Sequence, residues 1–128
     1  MLAALLAAGC QEKPTKPRAV VYSEDATGAA KSCTAPAPKL TAGQENATTM
    51  TVGNDGGWCG ILVSANDKPF AAGLLTMRPQ HGKVFIHTVG DDTRIDYTPA
   101  SGYAGPDNFT VTLLPEHTVV KVAVTVTR

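Results

Sequence analysis

The run Asn108-Phe109-Thr110-Val111-Thr112-Leu113-Leu114, then Pro115-Glu116-His117, then Thr118-Val119-Val120-Lys121-Val122-Ala123-Val124-Thr125-Val126-Thr127 decides the architecture. Successive side chains on a strand point to opposite faces, so a period of two sorts them. Val120, Val122, Val124 and Val126 fall on one face, Lys121, Ala123 and Thr125 on the other; Phe109, Val111 and Leu113 separate in the same way from Thr110 and Thr112. Val and Thr are stiff at χ1 and suit a pleated surface, and no helical period fits the run. These residues therefore predict two strands joined through Pro115-Glu116-His117, with the valine face turned into a core.

The same pattern continues upstream. Residues 48–52, 58–63, 74–77, 83–88 and 94–98 are short β-rich segments, set apart by turn residues such as Asn54-Asp55-Gly56-Gly57, Pro79-Gln80-His81-Gly82 and Gly90-Asp91-Asp92. Spacing of this kind predicts an all-β, antiparallel sandwich of about seven strands with no substantial helix. Ile95, Tyr97, Val84 and Ile86 are expected inside. Arg94 and Asp96, and unusually Phe85 and His87, are expected outside. Before residue 41 the composition turns to Pro, Lys, Ala, Ser and Thr, and Pro14, Pro17, Pro36 and Pro38 interrupt regular structure. Residues 10–40 thus read as an extended Pro-rich tether, partly packed on the domain, whose apolar cluster Ala19-Val20-Val21-Tyr22 is its one candidate strand. Residues 41–128 read as the sandwich. A length of 128 residues with 43% hydrophobic content supports one core. Lys+Arg and Asp+Glu both number 11, so no basic excess exists to hold nucleic acid.

Three submotifs in order carry a more specific likeness: Pro79-Gln80-His81-Gly82-Lys83-Val84, then Tyr97-Thr98-Pro99, then Gly102-Tyr103-Ala104-Gly105-Pro106-Asp107-Asn108-Phe109. They resemble the bacterial immunoglobulin-like and cadherin-like domains of envelope and adhesin proteins, with a pattern P-x-H-G-x-V, Y-T-P and G-Y-x-G-x-D-x-F. The resemblance implies an Ig-like sandwich over about residues 48–128. Each motif residue also has a structural reading: Gly82 and Gly105 for close approach or positive φ, Pro99 for a strand end, and Asp107 for accepting loop amides. Tyr97, Tyr103 and Phe109 would fill one end of the core, with His81 as a packed or turn-capping ring. Calcium-associated members carry further acids after an N-D pair, whereas Asn66-Asp67 here precedes Lys68-Pro69-Phe70, too few oxygens for a hard cation. No metal or other cofactor is expected.

Residues 1–9, MLAALLAAG, form an apolar run that closes on small residues before Cys10. This resembles a bacterial lipoprotein signal peptide, with Ala8-Gly9-Cys10 as the lipobox, although Ala7 replaces the commoner Leu and no Lys or Arg precedes the run. The resemblance implies lipidation of Cys10, a membrane anchor and a cell-envelope location. Gln11, where Asp commonly retains lipoproteins at the inner membrane, favours the outer membrane. Of the three cysteines, Cys33 and Cys59 remain to form a disulfide, closing a loop that contributes roughly 3 kcal/mol in the chain-entropy model. Two buried free thiols are the alternative.

No catalytic constellation stands out. Ser23, Ser32, Ser64 and Ser101 lack a nucleophile-elbow context, His81, His87 and His117 show no ligand spacing, and Gly53 to Gly60 has no phosphate-loop Lys. What remains is binding. Phe85 and His87, beside Arg94 and Asp96 on the neighbouring strand, make a candidate amphipathic patch with an aromatic anchor, unless Val20, Val21 or Tyr22 packs over Phe85. The expected function is a non-catalytic, lipid-anchored accessory subunit that meets a protein partner in an envelope assembly. The alternative is a glycan- or wall-binding adhesion module, which an aromatic content of 5% weakens.

Overall fold

The computed structural model describes residues 20–128. The signal-peptide reading of residues 1–9, Cys10 and the first part of the tether lie outside the described residues.

One helical turn and eight strands follow: α1 (Ser23–Ala26), β1 (Cys33–Thr34), β2 (Glu45–Gly53), β3 (Cys59–Val63), β4 (Ala72–Met77), β5 (Gly82–Val89), β6 (Asp92–Pro99), β7 (Gly105–Leu114) and β8 (Thr118–Thr127). They form two sheets, β1-β2-β8-β7-β4 and β3-β6-β5. The strands expected between residues 48 and 127 are all present. Val120, Val122, Val124 and Val126 are buried as their alternation requires, as are Phe109, Val111 and Leu113, and these side chains face Cys59, Ile61, Val63, Ile95 and Tyr97 of the smaller sheet across one core. Full burial of an aliphatic or aromatic side chain contributes roughly 1.5–3 kcal/mol, so this interface between the sheets supplies most of the stability.

Two expectations change. The sandwich is not wholly antiparallel, because β2 lies parallel to β8, from Glu45 opposite Val119 to Gly53 opposite Thr127. The cause is the connection: after Gly53 the chain turns through residues 54–57 and crosses to the smaller sheet as β3, so β2 makes no hairpin with a strand of its own sheet. Nor do residues 20–22 form a strand. The segment carries the short α1, with Glu24 and Asp25 in its first turn, and the first strand comes later, at Cys33, where it pairs antiparallel with β2.

Cys33 and Cys59 are bridged, with Cα atoms 5.4 Å apart. The link ties β1, on the edge of the larger sheet, to β3, on the edge of the smaller. Asn66 and Asp67, at φ 52° and 64°, sit between Ala65 and Lys68, which exchange backbone hydrogen bonds of 2.8 and 3.1 Å. This is a type I′ turn, which favours Asn and Asp at its positive-φ positions.

Candidate functional site

The motif residues converge at one end of the sandwich. The Asp107 carboxylate accepts hydrogen bonds from the amides of Gln80 (3.0 Å), His81 (3.0 Å) and Asn108 (2.9 Å) and from the Tyr97 hydroxyl (2.7 Å). Burial pushes the Asp107 carboxyl up, but these four donors outweigh it and hold the group below the ordinary carboxylate value. Burial, and then the bond to the Asp107 carboxylate, push the Tyr97 phenol well above its ordinary range. Gly82 has no side chain for a specific reason: a Cβ there would lie 2.6 Å from the Tyr97 ring. Gly105 takes φ 138°, and the ring of Tyr103, whose hydroxyl donates to the Pro106 carbonyl, stacks on His81 with centroids 4.0 Å apart. Such an arrangement clamps two loops to the core; it holds backbone in place and presents no activated nucleophile.

The outer face of the smaller sheet is chemically richer. Strand register sets Gly60, Asp96 and Phe85 in one row and Leu62, Arg94 and His87 in the next. Arg94 grips Asp96 through two bonds, Nε to Oδ1 at 2.7 Å and Nη2 to Oδ2 at 3.2 Å, and lays its guanidinium 3.8 Å from the centre of the Trp58 ring. His87 Nε2 meets Asp96 Oδ2 at 2.8 Å, and its Nδ1 lies 3.4 Å from Asp25 Oδ1. Gly60 makes room for this ladder, since a Cβ would stand 2.6 Å from Asp96 Oδ1 and 2.9 Å from Arg94 Cδ.

Residues 20–34 cross this face. Trp58 Nε1 donates to the Thr27 carbonyl at 2.8 Å, the Ala30 amide to the Trp58 carbonyl at 2.7 Å, and the Trp58 amide to the Gly28 carbonyl at 3.1 Å. Beneath Asp55, two amides, of Lys31 and then Gly57, hold the carboxyl below its ordinary value and fix the turn to the same segment.

Arg94 and Asp96 therefore do point away from the core, but they are not open to a ligand. At 8% and 5% exposure they are enclosed by Trp58, His87 and the crossing segment. Phe85 is the reverse case: it is 62% exposed, its ring tilted on His87 at 4.4 Å, and Val20, Val21 and Tyr22 do not bury it. The segment covers His87 and Trp58 instead. The four patch residues thus form one connected group with only Phe85 on its surface. A groove of about 530 Å³ opens beside it, lined by Val21, Trp58, Leu62, Val89 and Arg94 among others.

Sequence reasoning missed Trp58, Gly60 and Asp25. A signal for the first two was present: with Cys59 inside, the period of two puts Trp58 and Gly60 outside. That signal becomes informative only once β3 is known to neighbour β6. Asp25 had none, because its contact depends on the path of an irregular segment. Among the described residues, no three His, Cys, Asp or Glu side chains gather as metal ligands.

A two-sheet sandwich with a disulfide between edge strands and an Asp-centred end clamp is an immunoglobulin-like module. The chain belongs to the bacterial Ig domain family, whose sequence model matches residues 33–127. No curated protein shows significant similarity to the chain.

Proposed function

We propose that this protein is a non-catalytic interaction module of the bacterial cell envelope, anchored through lipid on Cys10, that binds a protein partner as an accessory subunit of an envelope assembly. The supporting observation is the outer face of the smaller sheet. Arg94, Asp96 and His87 are engaged with one another, and around them the face presents the apolar side chains of Phe85 and Leu62, with Val20, Val21 and Tyr22 on the segment that crosses it and Lys83 as an exposed charge beside Phe85. Exposed apolar side chains around a rigid floor fit contact with a protein surface. Membership in a family whose members are typically non-catalytic agrees with this reading. An outer-membrane anchor is the location this reading takes.

Crosslinking and co-purification from detergent-solubilised envelopes tests it, with Cys10→Ala and Phe85→Ala as comparison variants. A stoichiometric protein partner, lost with Cys10→Ala and weakened with Phe85→Ala, is the expected result. Binding of purified wall polymer that Phe85→Ala abolishes, with no protein partner, would replace it by the glycan-binding reading.

A further inference from the structure

The two sheets end in four edge strands, and three of these are blunted. β1 is two residues long. β4 is broken by a register shift between Leu75 and Met77. β3 is flanked at Trp58 by residues 28–30 and tied by its disulfide. The fourth edge, β5, is different. It runs eight residues in unbroken register with β6, from Gly82 opposite Pro99 to Val89 opposite Asp92, without proline and with Lys83 as its one Lys, Arg, Asp or Glu. Long, regular, weakly charged edges are the ones that accept another strand.

The backbone parity of that edge can be read directly. The hairpin turns through Gly90-Asp91, so Val89 and Asp92 form its closing hydrogen-bonded pair, and at the far end the Ala100 amide donates to the His81 carbonyl at 2.7 Å. Odd-numbered residues of β5 therefore bond to β6. Val84, Ile86 and Thr88 turn their N–H and C=O groups to the open side, where no strand pairs with them among the described residues.

We propose that β5 is a self-association edge, at which two copies of this chain join antiparallel about a two-fold axis through Ile86. Charge selects a second copy in this orientation. Lys83 stands at the start of the strand and Asp91 and Asp92 at its end, so antiparallel pairing brings the lysine of each copy to the acidic turn of the other, whereas parallel pairing would set like charge beside like. The register is self-complementary. Ile86 meets Ile86, Val84 meets Thr88, and about six backbone hydrogen bonds form. Phe85 of one copy then faces His87 of the other at a closely spaced pair, repeating the ring contact already made within one chain at 4.4 Å. A formal net charge of zero leaves no overall repulsion to oppose it. One strand pair covers far less than the ~1,600 Å² of a standard interface, so the dimer is a weak, exchanging one.

The test uses the full chain carrying Cys10→Ala, so that neither lipid nor a spare thiol links copies. Sedimentation up to millimolar concentration should show a reversible monomer–dimer equilibrium. Thr88→Pro removes an outward N–H without touching the ladder to β6 and should weaken association by about tenfold or more. Lys83→Glu, an exposed change that spares the fold, should weaken it too, and far-UV circular dichroism checks both variants. Ile86→Cys should crosslink across the axis while Thr88→Cys, offset from its own copy, should not. A monomer at millimolar concentration, a dimer indifferent to Thr88→Pro and Lys83→Glu, or equal crosslinking at both cysteines would overturn the proposal. None of these outcomes depends on the envelope partner.

Discussion

The Tyr97 hydroxyl donates to Asp107 Oδ2 at 2.7 Å, and because Tyr97 lies on β6 and Asp107 on β7, this one bond closes the sandwich between its two sheets. Tyr97→Phe leaves the carboxylate its three amide donors and removes one bond to a charged acceptor, for an expected loss of about 1.5–3 kcal/mol. Asp107→Ala should cost more, since the Gln80 and His81 amides and the Tyr97 hydroxyl all lose their acceptor together. Urea midpoints at neutral pH, compared across the two variants, check the order.

The same pair sets a pH response. Asp107 is held below its unfolded value, so its contribution to stability is fully present above about pH 3.9 and is lost as pH falls through the lower, folded value. Asp107→Asn should flatten that acid limb of the stability curve. Tyr97 is displaced upward, so the stability it carries is present below about pH 10 and drains away as the pH rises further. Tyr97→Phe should flatten the alkaline limb. Denaturant titrations at acid, neutral and alkaline pH measure both, and unchanged limbs would remove the clamp as their source.

Gly60 and Gly57 should both resist alanine, for different reasons. At Gly60 the new methyl meets the flexible Arg94 and Asp96 side chains, so Gly60→Ala should cost about 1–3 kcal/mol and lift Arg94 from the ring of Trp58, the only tryptophan. A change in Trp fluorescence reports it. At Gly57 the methyl would sit 2.5 Å from the Ala30 amide nitrogen, which is backbone and cannot swing aside. Gly57→Ala should therefore be the more damaging and should release residues 20–32 to limited proteolysis before the sandwich opens.

Reducing the Cys33–Cys59 bridge should lower stability by roughly 3 kcal/mol for a sequence separation of 26 residues. Cys33→Ser should reproduce the loss, because Cys33 is exposed. Cys59→Ser should exceed it, because Cys59 is wholly buried in the core and the hydroxyl would enter an apolar site. Thermal melts with and without reductant separate the two contributions.

Much of the sandwich can be read from alternation alone, since Val120 to Val126 and Phe109 to Leu113 must bury one face whatever their neighbours are. The end clamp was also accessible, because Asp107, Gly82 and Gly105 have needs that few other residues meet. Alternation says only which side of a strand a residue takes, not whether that side stays open. Arg94 and Asp96 illustrate this: their outward direction was readable, but their burial depends on Trp58 and on an irregular segment that no period describes. The parallel pairing of β2 with β8 was hidden for a related reason, as sheet order is set by where connections cross and not by the strands themselves.

That pairing places β8, the last strand of the fold, in the middle of the larger sheet, between β2 and β7. During synthesis, β2 has only the two-residue β1 beside it until β8 emerges, and the valine face of β8 is what completes the core. The order of manufacture therefore opposes early folding: long-range closure between Glu45 and Val119 must precede any stable larger sheet. In a chain of this design the larger sheet cannot be completed until nearly all of the domain has been made.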